Sequence, residues 1–243
     1  MLNAIIIRAA GERTESECVA MAKKQGDVFI VRAEPFGAAI METYLKALEI
    51  NAKYTTVIDA DVLIYDNVIA PAIKELEKRD KKIFCLDGKT NDKVMMCPRR
   101  AGIHIYKTDL LSIALDFIDF DALKPESNVR NEMAEIGYPT WSGKSLIFGD
   151  HDFEQYYNDL WRKSVCQAWK LERMINNRKI KNIWKEKSKH DNDFKVILAG
   201  NQWAVKNTKP EEIIIDKRKN FKSNENIKLI GLTEKEEMQN EGL

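Results

Sequence analysis

An α/β protein with a mostly parallel central sheet and flanking helices is what this sequence predicts, and three observations carry the prediction. Short β-branched runs alternate with amphipathic stretches through the first half of the chain, the rhythm of right-handed βαβ units. Tyr54-Thr55-Thr56-Val57-Ile58 is apolar or β-branched throughout, as an interior strand covered on both faces should be. That run then ends abruptly in Asp59-Ala60-Asp61, two carboxylates that packing does not explain, because an unpaired buried carboxylate is too costly.

The 243 residues suit one large domain, or one domain with an appendage, and 44% hydrophobic residues are ample for a core. Charged residues make up 32% of the chain, which argues for a soluble protein. Cys18, Cys85, Cys97 and Cys166 show neither a CxxC pair nor metal-ligand spacing, so buried, reduced thiols in a cytoplasmic protein are expected. The apolar start, Ala4 to Ile7, has no basic lead and is too short for a signal peptide or a membrane span.

The elements follow in order. Ala4 to Arg8 reads as a strand and Thr14 to about Gln25 as a helix, with Thr14-Glu15-Ser16-Glu17 in the form of a capping box. Asp27 to Arg32 is the second strand. After Pro35 and Gly37 comes a helix with Ile40, Tyr44 and Leu48 on one face, leading into the third strand and its two acids. A helix starting between Asp66 and Pro71 precedes a strand from Ile83 to Leu86. Val94 to Cys97 and Ile103 to Tyr106 read as two strands around Pro98-Arg99-Arg100-Ala101-Gly102, and a helix follows from Thr108 to about Ile118. Residues 119–144 read as loop-rich, broken by Pro125, Gly137, Pro139 and Gly143. Gly149-Asp150-His151-Asp152 then leads into an amphipathic helix carrying Phe153, Tyr156, Tyr157, Leu160 and Trp161. Beyond Asn192, short apolar runs such as Ile213-Ile214-Ile215 lie among charges, and the last ten residues read as frayed.

Acids at the C-terminal edge of a parallel strand face the crevice where open α/β sheets bind ligands. Two oxygen donors there suit Mg²⁺ or Mn²⁺, and the chemistry indicated is metal-assisted handling of a diphosphate. Asp61, further out, is the expected direct ligand; Asp59 serves either the cation through water or ribose hydroxyls. Arg99 and Arg100, beside Gly102, are expected on the diphosphate, because guanidinium forks match phosphate oxygens. Asp150 and Asp152 admit two readings: acids favoured in the first turn of a helix, or a general base acting on an acceptor hydroxyl. His104, between isoleucines, reads as a core histidine.

The net charge of +1 conceals a basic segment: between Trp161 and Lys189, ten lysines and arginines stand against Glu172 and Glu186. With Trp161, Trp169 and Trp184 on it, this segment suits an anionic membrane surface, or equally a helix with its aromatics packed inward and a solvated basic face. Nucleic acid is not expected, because the basic residues lack the aromatic and glycine pattern of known modules.

Four segments in this order resemble the A-type-fold nucleotide-sugar glycosyltransferases, in particular the large inverting family with a DxD motif. They are Ile5-Ile6-Ile7-Arg8-Ala9-Ala10-Gly11-Glu12-Arg13-Thr14, the helix from Gly37 to Ile50 feeding Val57-Ile58-Asp59-Ala60-Asp61, Ala101-Gly102-Ile103-His104-Ile105-Tyr106, and Gly149-Asp150-His151-Asp152. Two departures stand beside the match. The acidic cluster has a histidine between its aspartates instead of adjacent Glu-Asp, and the family's later basic-aromatic signature is absent in plain form.

The resemblance implies one transferase domain over residues 1–200, with a Rossmann-like donor half (1–107), an acceptor half (108–200) and a C-terminal extension (201–243). It also implies transfer of a sugar from a nucleotide-diphosphate donor, UDP by family habit, to a hydroxyl on a glycan or lipid-linked acceptor. Arg8, Arg13, Asp59, Arg99, Arg100 and Gly102 would then line the nucleotide-sugar site. Asp59 and Asp61 would hold the metal with His151, or alternatively His190, as a further ligand. Asp152 would be the base, with Asp150 beside it. Peripheral membrane contact would run through 161–189. A sugar-nucleotide nucleotidyltransferase is the nearest rival; it should carry a glycine-rich basic loop after the first strand, where Ala9-Ala10-Gly11-Glu12-Arg13 is short and acidic. A non-catalytic nucleotide-binding protein is the other.

Overall fold

Ile5, Ile6 and Ile7 form the centre of β1 (Asn3–Arg8) and send alternate side chains to opposite faces of the sheet. Ile5 and Ile7 join one core with Ile58, Leu86, Ile103, Ile105 and Phe148; Ile6 joins the other with Val57, Phe84 and Tyr106. Helices α1 (Glu15–Lys23) and α3 (Ile69–Glu77) cover the first face, and α2 (Phe36–Ile50) covers the second. The computed structural model describes residues 1–120, 122, 124–172, 177–209 and 221–238, so the Ile213–Ile215 run and the last five residues lie outside it.

The remaining strands are β2 (Val28–Val31), β3 (Tyr54–Asp59), β4 (Val62–Ile64), β5 (Cys85–Asp92), β6 (Cys97–Lys107) and β7 (Thr140–His151). The seven-stranded sheet of the described residues runs β2-β1-β3-β6-β5-β7-β4. It is mixed, not mostly parallel: β1 is parallel to β2 and β3 and β5 to β7, while β3–β6, β5–β6 and β4–β7 are antiparallel. The reason is local. Lys93–Met96 form a short turn between β5 and β6, where the sequence reading placed a strand, and a connection that short can only join antiparallel neighbours. Pro98 to Gly102 therefore lie inside β6 and do not form a turn.

Sheet order and chain connectivity together force a bend. β3 and β4 are separated by three intervening strands, about 19 Å across a flat sheet at ~4.8 Å per step. Yet only Ala60 and Asp61 connect them, a reach of at most about 11 Å. The sheet curls until its last strand returns beside its third, and the two acids sit where that curl closes.

Four local expectations are corrected. Thr14 makes no side-chain cap to α1; its hydroxyl donates to the Ala60 carbonyl at 2.9 Å, tying the loop after β1 to the turn between the acids. Residues 119–144 contain α5 (Pro125–Glu135), and β7 begins at Thr140. The Thr108–Ile118 helix is one α-helical turn, α4 (Leu111–Ala114), flanked by 3₁₀ turns. Cys97 is exposed, whereas Cys18, Cys85 and Cys166 are buried.

The chain divides into two compact units, Met1–Lys93 with Cys97–Phe153, and Val94–Met96 with Glu154–Leu243. The second is helical among the described residues: α6 (Tyr157–Glu172), α7 (Asn177–Lys187), α8 (Asn192–Asn207) and α9 (Ser223–Leu229). The amphipathic helix thus starts four residues later than its spacing indicated. Its first backbone N–H groups, on Tyr157 and Asn158, donate to the Glu234 carboxylate at 2.6 and 2.9 Å, so neither Asp150 nor Asp152 is its cap. The indoles are used inside this unit: Trp161 donates to the Phe221 carbonyl, Trp169 to Thr208 Oγ1 and Trp184 to the Val94 carbonyl. Arg178, Lys179, Lys185, Lys187 and Lys189 are exposed. No helix among the described residues is long and apolar enough to cross a membrane.

Candidate functional site

Pairing of β4 with β7 builds the site. Val62 lies opposite His151 in an antiparallel register, so the residues just beyond the pair, Asp61 and Asp152, meet at its end. The Asp152 N–H donates to the Asp61 carbonyl at 3.1 Å, and Asp152 takes a left-handed backbone (φ +65°) that turns the chain out of the strand. On the other side β5 runs parallel to β7 and sets Asp92 directly opposite His151.

Asp61, His151 and Asp152 are all buried, and each offers one ligand atom, these atoms lying within 4.8 Å of one another. His151 Nε2 is 3.4 Å from Asp61 Oδ1, while Nδ1 is 2.9 Å from Asp92 Oδ2 and 3.3 Å from Asp152 Oδ2. Burial opposes a charge on this imidazole, but Asp152, Asp61 and Asp92 outweigh it and push its pKa up to about 9. A site that draws even its histidine toward the cationic form favours positive charge at this point. Two carboxylates and an imidazole with ligand atoms within 4.8 Å of one another are a donor set of the kind that holds a divalent cation.

Gly102 shapes the wall of this site. It lies in β6 with φ +69°, and a Cβ there would press on Val62, come 3.2 Å from His151 Cδ2 and 3.7 Å from Asp59 Cβ. No larger residue leaves that space open.

Asp59 does not join the trio. Its Oδ1 accepts from Arg8 Nε at 2.8 Å, and the other nitrogens of the same guanidinium donate to Glu126 at 2.9 and 3.3 Å. Arg8 is thus buried as the bridge between the end of β3 and α5, with its pKa raised because Asp59 and Glu126 outweigh the burial that opposes its charge. His104 extends this network, with Nε2 3.0 Å from Glu126 Oε2 and Nδ1 3.0 Å from Asp87 Oδ1. Tyr106 donates to Glu126 at 2.8 Å, and Arg130 closes on Glu126 at 3.8 Å. Neither Glu126 nor Asp92 was singled out in the sequence. Each sits in a polar stretch that reads as turn or loop, and only its strand or helix neighbours make it structural.

The other expected residues are distributed as follows. Arg99 Nε is 3.1 Å from Asp92 Oδ2, at the edge of the trio, and Arg100 is 3.7 Å from Asp87 Oδ2. Arg13 lies in the turn between β1 and α1. Asp150 is on the opposite face of the sheet from His151, as adjacent strand residues must be; its Oδ1 accepts from Tyr65 Oη at 2.8 Å and Asn91 Nδ2 at 3.0 Å. His190 is an exposed residue of the helical unit.

No family model matches the chain, and no curated protein matches it in sequence. Among solved structures, the fold is similar to that of the mannosyltransferase PcManGT from Pyrobaculum calidifontis in complex with GDP-Man and Mn²⁺. The two share 13% identity and a TM-score of 0.52 over 84% of this chain and 72% of that one. TarS 1–349 of S. aureus is similar at 13% identity and TM-score 0.39, covering 84% of this chain and 71% of that one. A glycosyltransferase involved in glycosylation of the major capsid of PBCV-1 aligns at 11% identity and TM-score 0.41, over 60% and 81% of the two chains. At these identities the likeness is one of fold alone, an α/β fold with a mixed sheet and flanking helices.

Proposed function

We infer that the chain is a metal-dependent glycosyltransferase that moves a sugar from a nucleotide-diphosphate donor to a hydroxyl of a glycan or lipid-linked acceptor. The observation that carries this reading is the buried convergence of Asp61, His151 and Asp152 at the closing edge of the sheet. The fold shared with a mannosyltransferase bound to GDP-Man and Mn²⁺ supports it. Asp61, His151 and Asp152 would hold the cation, and one imidazole beside two carboxylates favours Mn²⁺ over Mg²⁺, which prefers all-oxygen surroundings. A cation held there would neutralise charge on the donor's diphosphate and on the departing nucleoside diphosphate.

The residues around the trio have separate tasks in this reading. Arg99, with Arg100 further along β6, would hold diphosphate oxygens through its guanidinium fork. Gly102 keeps room for the sugar-phosphate beside His151. Arg8 fixes Asp59 at the end of β3, where its outer carboxylate edge would meet the nucleotide, and Arg13 borders the same side. Asp152, given its place beside His151, is assigned to the cation and not to proton abstraction, and Asp150, on the far face, is left out of the chemistry. The exposed basic residues of α7 are suited to an acceptor presented on an anionic surface.

Glycosyl transfer is preferred over nucleotidyl transfer on one detail. A nucleotidyltransferase needs free backbone N–H groups after the first strand to cradle a triphosphate. Here the Ala10 N–H donates to the Glu12 carboxylate at 2.7 Å, which puts an acid where phosphate would lie. Thermal unfolding with UDP, GDP and nucleoside triphosphates, each with and without Mn²⁺, tests the assignment. A saturating nucleoside diphosphate should stabilise by about 2–3 kcal/mol at ~100 times its Kd, and only with the metal. A preference for triphosphate with pyrophosphate release would establish the rival, and the absence of any response would remove both.

A further inference from the structure

We propose that Asp92 is the positioning residue of this centre, holding the His151 ring so that Nε2 is the nitrogen presented to the cation. The proposal rests on the reading of Asp61, His151 and Asp152 as the cation-holding residues, and adds to it a residue outside the DxD run and outside Gly149–Asp152. Three observations support it. Asp92 Oδ2 lies 2.9 Å from His151 Nδ1, nearer than either carboxylate of the trio lies to that ring. The contact is made between residues in direct register on adjacent strands, Asp92 on β5 and His151 on β7. Asp152, by contrast, lies just beyond the strand with a left-handed backbone, and its Oδ2 is 3.3 Å from the same nitrogen. Finally, the Asp92 side chain is 1% exposed, and its second charged partner, Arg99, contacts the same Oδ2 at 3.1 Å.

The chemistry follows from the imidazole itself. A neutral histidine has one N–H and one lone pair, so a nitrogen committed to a carboxylate carries the proton and the other becomes the ligand. With Nδ1 given to Asp92, the lone pair falls on Nε2, the nitrogen 3.4 Å from Asp61 Oδ1, while Asp152 Oδ2 lies 3.3 Å from Nδ1. A carboxylate in this position also raises the basicity of the ring toward a metal. Arg99 Nε, 3.1 Å from the same Asp92 oxygen, offsets the carboxylate's charge.

The test measures Mn²⁺ binding to the full chain by counting free ion in its EPR spectrum, for the wild type and Asp92→Asn. The wild type should bind, and pulsed EPR should show coupling to a directly coordinated imidazole nitrogen. Asp92→Asn should bind about 10–100-fold more weakly, the usual effect of removing such a partner, with that coupling reduced or lost. An unchanged affinity and an unchanged coupling in Asp92→Asn would overturn the proposal while leaving the centre itself standing. A wild type that binds no Mn²⁺, or binds it with no nitrogen coupling, would instead remove the reading on which the proposal rests. Should Asp92→Asn fail to fold, the wild type alone decides. With Zn²⁺ as a diamagnetic stand-in, long-range ¹H–¹⁵N spectra of a protein with three histidines should place the His151 proton on Nδ1, and a proton on Nε2 would refute the assignment.

Discussion

Gly102→Ala probes the geometry of the site more sharply than removal of a charged group, because it adds a single methyl and nothing else. Two effects combine. The backbone at φ +69° is left-handed, which costs an L-residue about 1–2 kcal/mol. The added Cβ presses on Val62 and comes 3.2 Å from His151 Cδ2, and overpacking of this kind costs about 1–3 kcal/mol. Gly137 isolates the first effect: it has φ +94° and nothing within 4 Å of its Cβ position. At ~2–4 °C per kcal/mol for a chain of this size, Gly137→Ala should lower Tm by about 2–8 °C, and Gly102→Ala by about 2–12 °C beyond that. Only Gly102→Ala should also weaken Mn²⁺ binding, because only there does the methyl crowd His151, the residue proposed to hold the cation. Differential scanning calorimetry with a parallel Mn²⁺ titration reads both quantities. If the two variants melt within about 1 °C of each other, or bind Mn²⁺ equally, the crowding assigned to Gly102 is wrong.

Three further outcomes are expected. Arg8→Leu leaves Asp59 and Glu126 without their shared cation in a buried place and should cost about 3–5 kcal/mol in urea unfolding; the double variant Arg8→Leu/Glu126→Leu should recover part of it. His104 is expected to make stability fall on the alkaline side. Burial opposes its charge, but Glu126 and Asp87 outweigh burial and Arg130 and hold its pKa above 6.5, so its contribution is complete below 6.5 and is lost as pH rises through the folded value. Glu126 acts in the other direction: held well below 4.5 by Arg8 and His104 against burial, it contributes fully above 4.5 and loses that contribution as pH falls through its folded value. The Tm gap between wild type and His104→Asn should therefore narrow as pH rises above 6.5, and a constant gap would contradict the network. Last, Asp61→Asn should abolish Mn²⁺ binding measured by calorimetry, whereas Asp150→Asn should leave it within about twofold, since its carboxylate is on the other face of the sheet.

Local pattern alone determined much of the first unit: the β-branched runs of β1, β2 and β3, the apolar faces of α1 and α2, and the arrest of β3 in two acids. These are legible because a strand's or helix's periodicity is written within the element. Asp61, His151 and Asp152 stand out in the sequence for the same reason, as polar groups at the ends of apolar segments. Tertiary structure decided the rest. β4 is three residues long, and β7 carries Gly143 and Gly149, so each is a strand only because a neighbour pairs with it. The direction of β6 against β3 is a property of the turn at Lys93–Met96 and not of either strand's composition. Thr14 was spent on Ala60 instead of a helix cap, and Asp59 pairs with Arg8, because partners from distant parts of the chain were near. Asp92 opposes His151 across 59 residues, a pairing that comes into being only when β5 and β7 align. A single sequence records what each residue can do; which of its possible partners it meets is set by chain closure, and here that closure is the curl that brings β4 back beside the end of β3.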